Sequence, residues 1–242
     1  MSGKKLTLLE EYGRYDLQYN GETGKEHRVF LYDYPVIGQA AKKYDTYSVP
    51  GRDGELIGAE EYKGNLTISC TFSVLHKAFL PVIRDLKEWL SGSGKLVLSE
   101  DTETFYEVLK IEYGNIEREL RYYGRFTVNF LCHPYEYLES GTRAMDHKEL
   151  LYNPYARCKP LYQITGNGTC TLVINGKSVT ATIGQNLVID TERMISFRVD
   201  GTINNTALTG DYEDLWLPKG VCSISITNGF DLKVVPRWGY EV

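Results

Sequence analysis

No apolar run in this chain approaches the roughly 18 residues that a membrane-spanning helix needs, so membrane insertion is not expected. Basic residues are in deficit. The 27 Lys and Arg face 32 Asp and Glu, for a formal net charge of −5. The basic surplus that marks a nucleic-acid footprint is absent, and no specific nucleic-acid binding is expected. Histidine is scarce, at four residues: His27, His76, His133 and His147. No G-x-S-x-G elbow, H-E-x-x-H pair or P-loop occurs, so no local signature of a hydrolase, metalloprotease or nucleotide-binding enzyme is present. The sequence reads as a non-enzyme, with no catalytic residues assigned.

Cysteine is present five times, at positions 70, 132, 158, 170 and 222, without a C-x-x-C pair. Reduced, buried thiols are the expectation. Cys132 and His133 are adjacent in an apparent strand, face opposite sides and cannot share a metal. No metal and no cofactor are expected. Neighbouring carboxylates such as Glu60 and Glu61, or Asp211, Glu213 and Asp214, are what chance provides in so acidic a chain. None stands out as the spaced pair of a glycosidase. Met1 to Leu6 is followed by Glu10 and Glu11 rather than by a signal-peptide apolar core, which reads as folding in a cytoplasm. The sequons at Asn65, Asn167 and Asn204 are then coincidental.

What the chain does have is centred on Ser48 to Val74. Pro50-Gly51 and Asp53-Gly54 are two turn signals in close succession, because Pro presets φ and Gly accepts positive φ. After them Leu66, Ile68, Cys70, Phe72 and Val74 alternate with Thr67, Ser69, Thr71 and Ser73, the pattern of a strand with one buried face. Phe79, Val82, Ile83, Leu86, Trp89 and Leu90 then recur at helical spacing. They predict a helix over 79–91 that Gly92 and Gly94 end, with Trp89 in the core.

Residues 1–24 read as irregular or extended. His27 to Ile37 reads as one strand, Pro35 marking an edge. Lys95–Ser99, Thr104–Tyr113 and Arg125–Cys132 are further strands, closed by Pro134. The charged stretch 136–149 is the predicted linker. From Asn153 the pattern is of short strands: Leu161–Thr165, Cys170–Ile174, Lys177–Ile183, Leu187–Ile189, Met194–Val199, Val221–Thr227 and Leu232–Pro236. Asn175-Gly176 is a type I′ hairpin signal among them. The predicted fold is mainly β. It comprises an N-terminal barrel or sheet domain (1–135) with one packed helix, and a C-terminal β-sandwich (150–242).

Two groups of residues are candidate contact sites. Pro50, Gly51, Arg52, Asp53 and Gly54 form a tip that either meets a partner or is only a tight turn capped by Asp53. Trp216 and Trp238 lie near turn or terminal positions, where an indole can stack on a sugar, meet a protein or pack at the edge of a core.

Val49-Pro50-Gly51-Arg52-Asp53-Gly54, the alternating strand after it, Trp89-Leu90, and Phe130-Leu131-Cys132-His133-Pro134-Tyr135 occur in an order that resembles the N-terminal half of the distal tail protein of long, non-contractile-tailed phages. Asn153-Pro154 and Pro160 to Gly166 extend the resemblance more loosely. It implies a virion structural protein of the tail tip, made and assembled in the bacterial host cytoplasm. Six copies would form a hub ring through their N-terminal domains, with galectin-like C-terminal sandwiches outside. The implied partners are the tail tube protein, the tail-tip or tail-associated lysin protein, the tape measure protein and receptor-binding components. The alternative reading is a carbohydrate-binding β-sandwich protein.

Overall fold

The structure, a computed structural model, describes residues 16–77 and 79–242. The expectation for positions 1–15 falls outside them. The chain divides into two compact units, one running to Glu136 and including Glu241–Val242, the other Tyr137–Tyr240.

The first unit contains β1 (Leu17–Tyr19), β2 (Glu22–Thr23), β3 (Phe30–Leu31), β4 (Val36–Ile37), β5 (Lys42–Ser48), β6 (Glu55–Lys63) and β7 (Leu66–Leu75). The helix α1 (Phe79–Trp89) follows, then β8 (Gly94–Leu98), β9 (Asp101–Leu120) and β10, which starts at Tyr123 and runs to Leu138. The main sheet has the order β2-β1-β8-β9-β10-β7-β3, with β4 also on β7. Its centre is the strand that the alternation predicted. Leu66, Ile68, Cys70, Phe72 and Val74 are all buried. They face Cys132, Phe130, Val128, Phe126 and Gly124 of β10 in register, and the Phe72 and Phe126 rings stack at 5.3 Å.

Helix α1 covers this face with Phe79, Val82, Ile83, Leu86 and Trp89. Its ends are fixed by specific fits. Phe79 lies so close over Gly124 that a Cβ there would be 2.7 Å from the ring. At the other end Trp89 Nε1 donates to the Tyr19 carbonyl at 3.2 Å. The His27 ring stacks on Trp89 at 4.3 Å, with its nitrogens 2.9 Å from Glu22 and 3.0 Å from Asp85. Gly92, at φ +76°, lets the chain turn away from the helix.

Two readings of this unit are corrected and one is made specific. Residues 17–23, read as irregular or extended, are extended strands joined as a hairpin, because Asn20 and Gly21 both adopt positive φ, as a type I′ turn requires. His27 to Ile37 is not one strand. Leu31 pairs with Phe72 and Val36 with Ser69, so this segment advances further than its partner and loops out around Asp33-Tyr34-Pro35. Pro134 does not close the last strand, which continues to Leu138. The β7 ladder ends where Leu66 faces Cys132, and beyond it that side asks no N–H of the proline.

The second unit contains β11 (Met145–Asp146), β12 (Tyr152–Asn153), β13 (Leu161–Ile174), β14 (Lys177–Asp190), β15 (Ile195–Phe197), β16 (Leu208–Thr209), β17 (Gly220–Val221), β18 (Ile224–Ile226) and β19 (Asp231–Val235). A last strand, β20, spans Gly239–Glu241. One sheet has the order β11-β19-β13-β14-β15, with β16 on β14 and β18 on β13, and β12 and β17 form a separate pair. Asn175 and Gly176 make the predicted turn, at φ +48° and +86°.

The expected short strands flanking it are in fact two long ones. Leu161–Thr165 and Cys170–Ile174 belong to one strand, as do Lys177–Ile183 and Leu187–Ile189. Gly166, Gly168 and Gln185 have positive φ, so the glycine-containing middle distorts the ladder without ending it. The first half of β13 can then pair with β19 and the second with β18. The core between the elements includes Tyr162, Ile164, Leu172, Ile174, Val179, Ile189, Leu217 and Leu232.

The stretch 139–149 folds onto this unit. It carries two 3-10 turns, Glu139–Thr142 and His147–Glu149, with β11 between them pairing on β19. All five cysteines are free and buried. Burial pushes the Cys70, Cys132 and Cys158 thiols up to about 12, which holds them as unreactive thiols at neutral pH.

Candidate interaction surfaces

The Pro50–Gly54 tip sits at the end of the β5–β6 hairpin, which forms a two-stranded sheet of its own. Gly51 and Gly54 both take positive φ, and the Arg52 N–H donates to the Val49 carbonyl at 3.2 Å. Both double-turn signals are therefore used. The ladder runs from Ser48–Glu55 through Tyr47–Leu56 and Thr46–Ile57, shifts register after Tyr44, and ends at Lys42–Lys63. Gly58 sits at the shift, where a Cβ would be 3.1 Å from the Asp45 carbonyl oxygen. Every residue of β5 is exposed, and so are Val49, Leu56 and Ile57, the last at 69%. Isolated two-stranded hairpins are marginally stable in water, and apolar side chains on one have no core to join. Beside them in sequence, Phe30, Tyr32, Tyr34, Val36 and Ile37 are also exposed.

Trp216 and Trp238 have different surroundings. Trp216 Nε1 donates to the Thr191 carbonyl at 3.2 Å, which fixes the indole. The Arg157 guanidinium and Lys159 ammonium approach the ring at 4.8 and 5.1 Å from its centroid, within cation–π range. The cleft beside it, about 230 Å³, also exposes Asn175, Glu213 and a Lys177–Asp214 ion pair of 2.6 Å. Trp238 packs 5.4 Å from Tyr155, which meets Tyr240 edge-on at 5.2 Å. Its Nε1 is buried without a partner. Its main chain lies against Gly141, where a Cβ would be 2.5 Å from the Trp238 nitrogen.

One polar cluster has no counterpart in the sequence pattern. Asp190 is buried at the end of β14 and takes a two-pronged contact from Arg237, at 2.7 and 2.9 Å. It also accepts the Glu192 and Arg193 N–H groups. Burial is the largest single influence on the Asp190 pKa and raises it, but the Arg237 hydrogen bonds and charge together with those N–H groups outweigh it and hold the carboxyl below the usual range. The one local clue is an acid that ends the apolar run Leu187-Val188-Ile189. The cluster fastens the segment after β19 to β14. Among the described residues no group of three or more His, Cys, Asp and Glu could hold a metal ion. No helix among them is long and apolar enough to cross a membrane.

The fold of this chain is shared with a solved phage protein. One solved structure it is similar to is the Dit protein of phage SPP1, described as a paradigm of the hub adsorption apparatus in phages that infect Gram-positive hosts. The TM-score is 0.63 at 13% identity, over 91% of this chain and 97% of that one. No family model matches the sequence. No curated protein matches it either.

Proposed function

We propose that the chain is a structural protein of a phage tail, a ring-shaped distal hub that joins the tail tube to the tip and its host-recognition parts. The observation that carries this is a shared fold across both units, 91% of one chain against 97% of the other. In this reading residues 1–135 build the ring, 136–149 connect, and the 150–242 sandwich, galectin-like in type, lies at the periphery. The partners are a tail tube protein, a tail-tip or tail-associated lysin protein, a tape measure protein and receptor-binding components. The place of action is the virion tail tip, and the role is not catalytic.

Ring closure needs a patch on each subunit that meets a different patch on the next. The β5–β6 hairpin and the exposed residues from Phe30 to Ile37 supply material for one such patch, with Pro50, Gly51, Arg52, Asp53 and Gly54 at its tip. The test is native mass spectrometry with negative-stain imaging over a wide concentration range. Six-membered rings are expected from the full-length protein. Replacing 44–57 by a short Gly-Ser turn should leave a folded protein that no longer closes them, because all of the residues replaced are exposed and none belongs to the buried core. A stable symmetric dimer burying the Phe30–Ile37 edge would contradict the proposal.

A hub through which a genome passes must not hold it. Each phosphate contact from Lys or Arg adds salt-dependent affinity, and a net charge of −5 favours a lining that does not stick. No duplex DNA binding is expected at physiological salt. A gel shift of micromolar affinity that weakens steeply with added salt would count against this.

A further inference from the structure

The sequence contains Asn-Gly at Asn20, Asn167, Asn175 and Asn228. This dipeptide is chemically labile because glycine has no side chain to hinder its own nitrogen. The fold treats the four differently. Asn20 is the first residue of the β1–β2 turn. Its N–H donates to the Lys95 carbonyl at 3.0 Å, and its Oδ1 accepts the Lys95 N–H at 2.8 Å. Asn175 repeats the arrangement in the second unit, donating to the Ser223 carbonyl at 2.9 Å and accepting the Ser223 N–H at 2.7 Å. Each of these two amide groups is thereby clamped to the backbone of a neighbouring segment. Asn167 lies within the β13–β14 ladder opposite Gly184, so its backbone is held between two paired strands.

Asn228 has none of this. It lies in the turn between β18 and β19, exposed, with Gly229 after it at φ +93°. Among the described residues neither its side chain nor the Gly229 N–H has a hydrogen-bond partner. The turn is nevertheless held at both ends. The Thr227 N–H donates to the Thr171 carbonyl at 3.1 Å and its Oγ1 accepts the Thr171 N–H at 2.9 Å. Phe230 lies on Gly166, where a Cβ would be 2.3 Å from the ring. The two residues between these anchors form the exposed turn itself.

We infer that Asn228 is the site of spontaneous deamidation and isomerisation in the folded protein. The Gly229 amide nitrogen attacks Cγ of Asn228. A new bond forms between that nitrogen and Cγ, the bond from Cγ to Nδ2 breaks, and the proton of the attacking nitrogen leaves with Nδ2 as ammonia. Water then opens the cyclic imide at one or other carbonyl, giving aspartate or isoaspartate. The balance is one water consumed and one ammonia released, with no redox partner. Both products add a negative charge, and isoaspartate also lengthens the backbone of a turn whose two ends are anchored.

The test is to age the intact protein in mildly alkaline buffer and follow each Asn-Gly peptide by mass spectrometry, with isoaspartate scored by fragmentation. A parallel sample is aged in denaturant. In the folded protein Asn228 is expected to convert at least about ten times faster than the other three, a barrier difference of about 1.4 kcal/mol. In denaturant the four rates should converge. Asn228→Gln should remove the fast phase from the intact mass. Equal rates in the folded protein would overturn the inference, and so would a lead by Asn20, Asn167 or Asn175. An Asn228 that stays unmodified in the folded protein while it converts in denaturant would overturn it equally.

Discussion

Arg237→Ala should destabilise the second unit by about 3–5 kcal/mol, because removing one partner of a buried ion pair leaves the other charge uncompensated. The Asp190 side chain is only 3% exposed and Arg237 23%, so water replaces little of the lost guanidinium. Against a typical total of about 5–15 kcal/mol the loss is large. Urea titration monitored by circular dichroism would report it. The pH dependence identifies the cause. The native Asp190 carboxyl is depressed, so its contribution is present above the unfolded carboxylate value of about 3.9 and is lost as pH falls through the folded value. In the variant, burial acts without the arginine and raises the carboxyl, which becomes neutral more readily. The stability gap between the two proteins should therefore narrow as pH falls, first above about 3.9, where the raised carboxyl of the variant takes up its proton, and further below it, as the depressed carboxyl of the parent does. A gap that stays constant with pH would show that lost packing, not the ion pair, is responsible.

Trp89→Ala should cost the first unit about 3–5 kcal/mol, as for other large-to-small aromatic changes in cores. Three attachments disappear together. The indole is 8% exposed within the core, its N–H ties the helix to β1 through Tyr19, and its face holds His27. His27 in turn spans Glu22 and Asp85, so the segment after β2 should loosen with the helix. Leu80→Ala, at an exposed position on the same helix, should stay within about 0.5 kcal/mol of the parent. Chemical denaturation of both variants compares them directly. A Trp89→Ala protein within about 1 kcal/mol of the parent would contradict this account of the core.

The features legible in the sequence are those set by neighbours in sequence. The alternation from Leu66 to Val74, the helical spacing from Phe79 to Trp89 and the Asn175-Gly176 turn all carry their own period or backbone requirement. The features missed are decided by distant partners. The break between Leu31 and Val36 follows from how each end registers on β7. The joining of Leu161–Thr165 to Cys170–Ile174 depends on β14 continuing beside them through Gln185. The Asp190–Arg237 contact spans 47 positions, and no local pattern announces it. At the tip, turn chemistry indicated Pro50 to Gly54, but the isolation of the hairpin that carries them is a property of the sheet order alone. The two tryptophans stand out by residue type, which says nothing of the cations over Trp216 or the buried nitrogen of Trp238.

The division of β13 between two partners has a consequence for biosynthesis. Its second half pairs with β14 and β18, while its first half also needs β19. A ribosome delivers β14 soon after β13, and β19 only much later. Until then Leu161–Thr165 pairs with β14 on one side only and its other edge stays open, and β11 has no strand to lie on. Such an edge is a template for pairing with another polypeptide. Nascent polypeptides stalled before Asp231 should therefore be sticky, and a chaperone that shields this edge would raise the yield of folded protein.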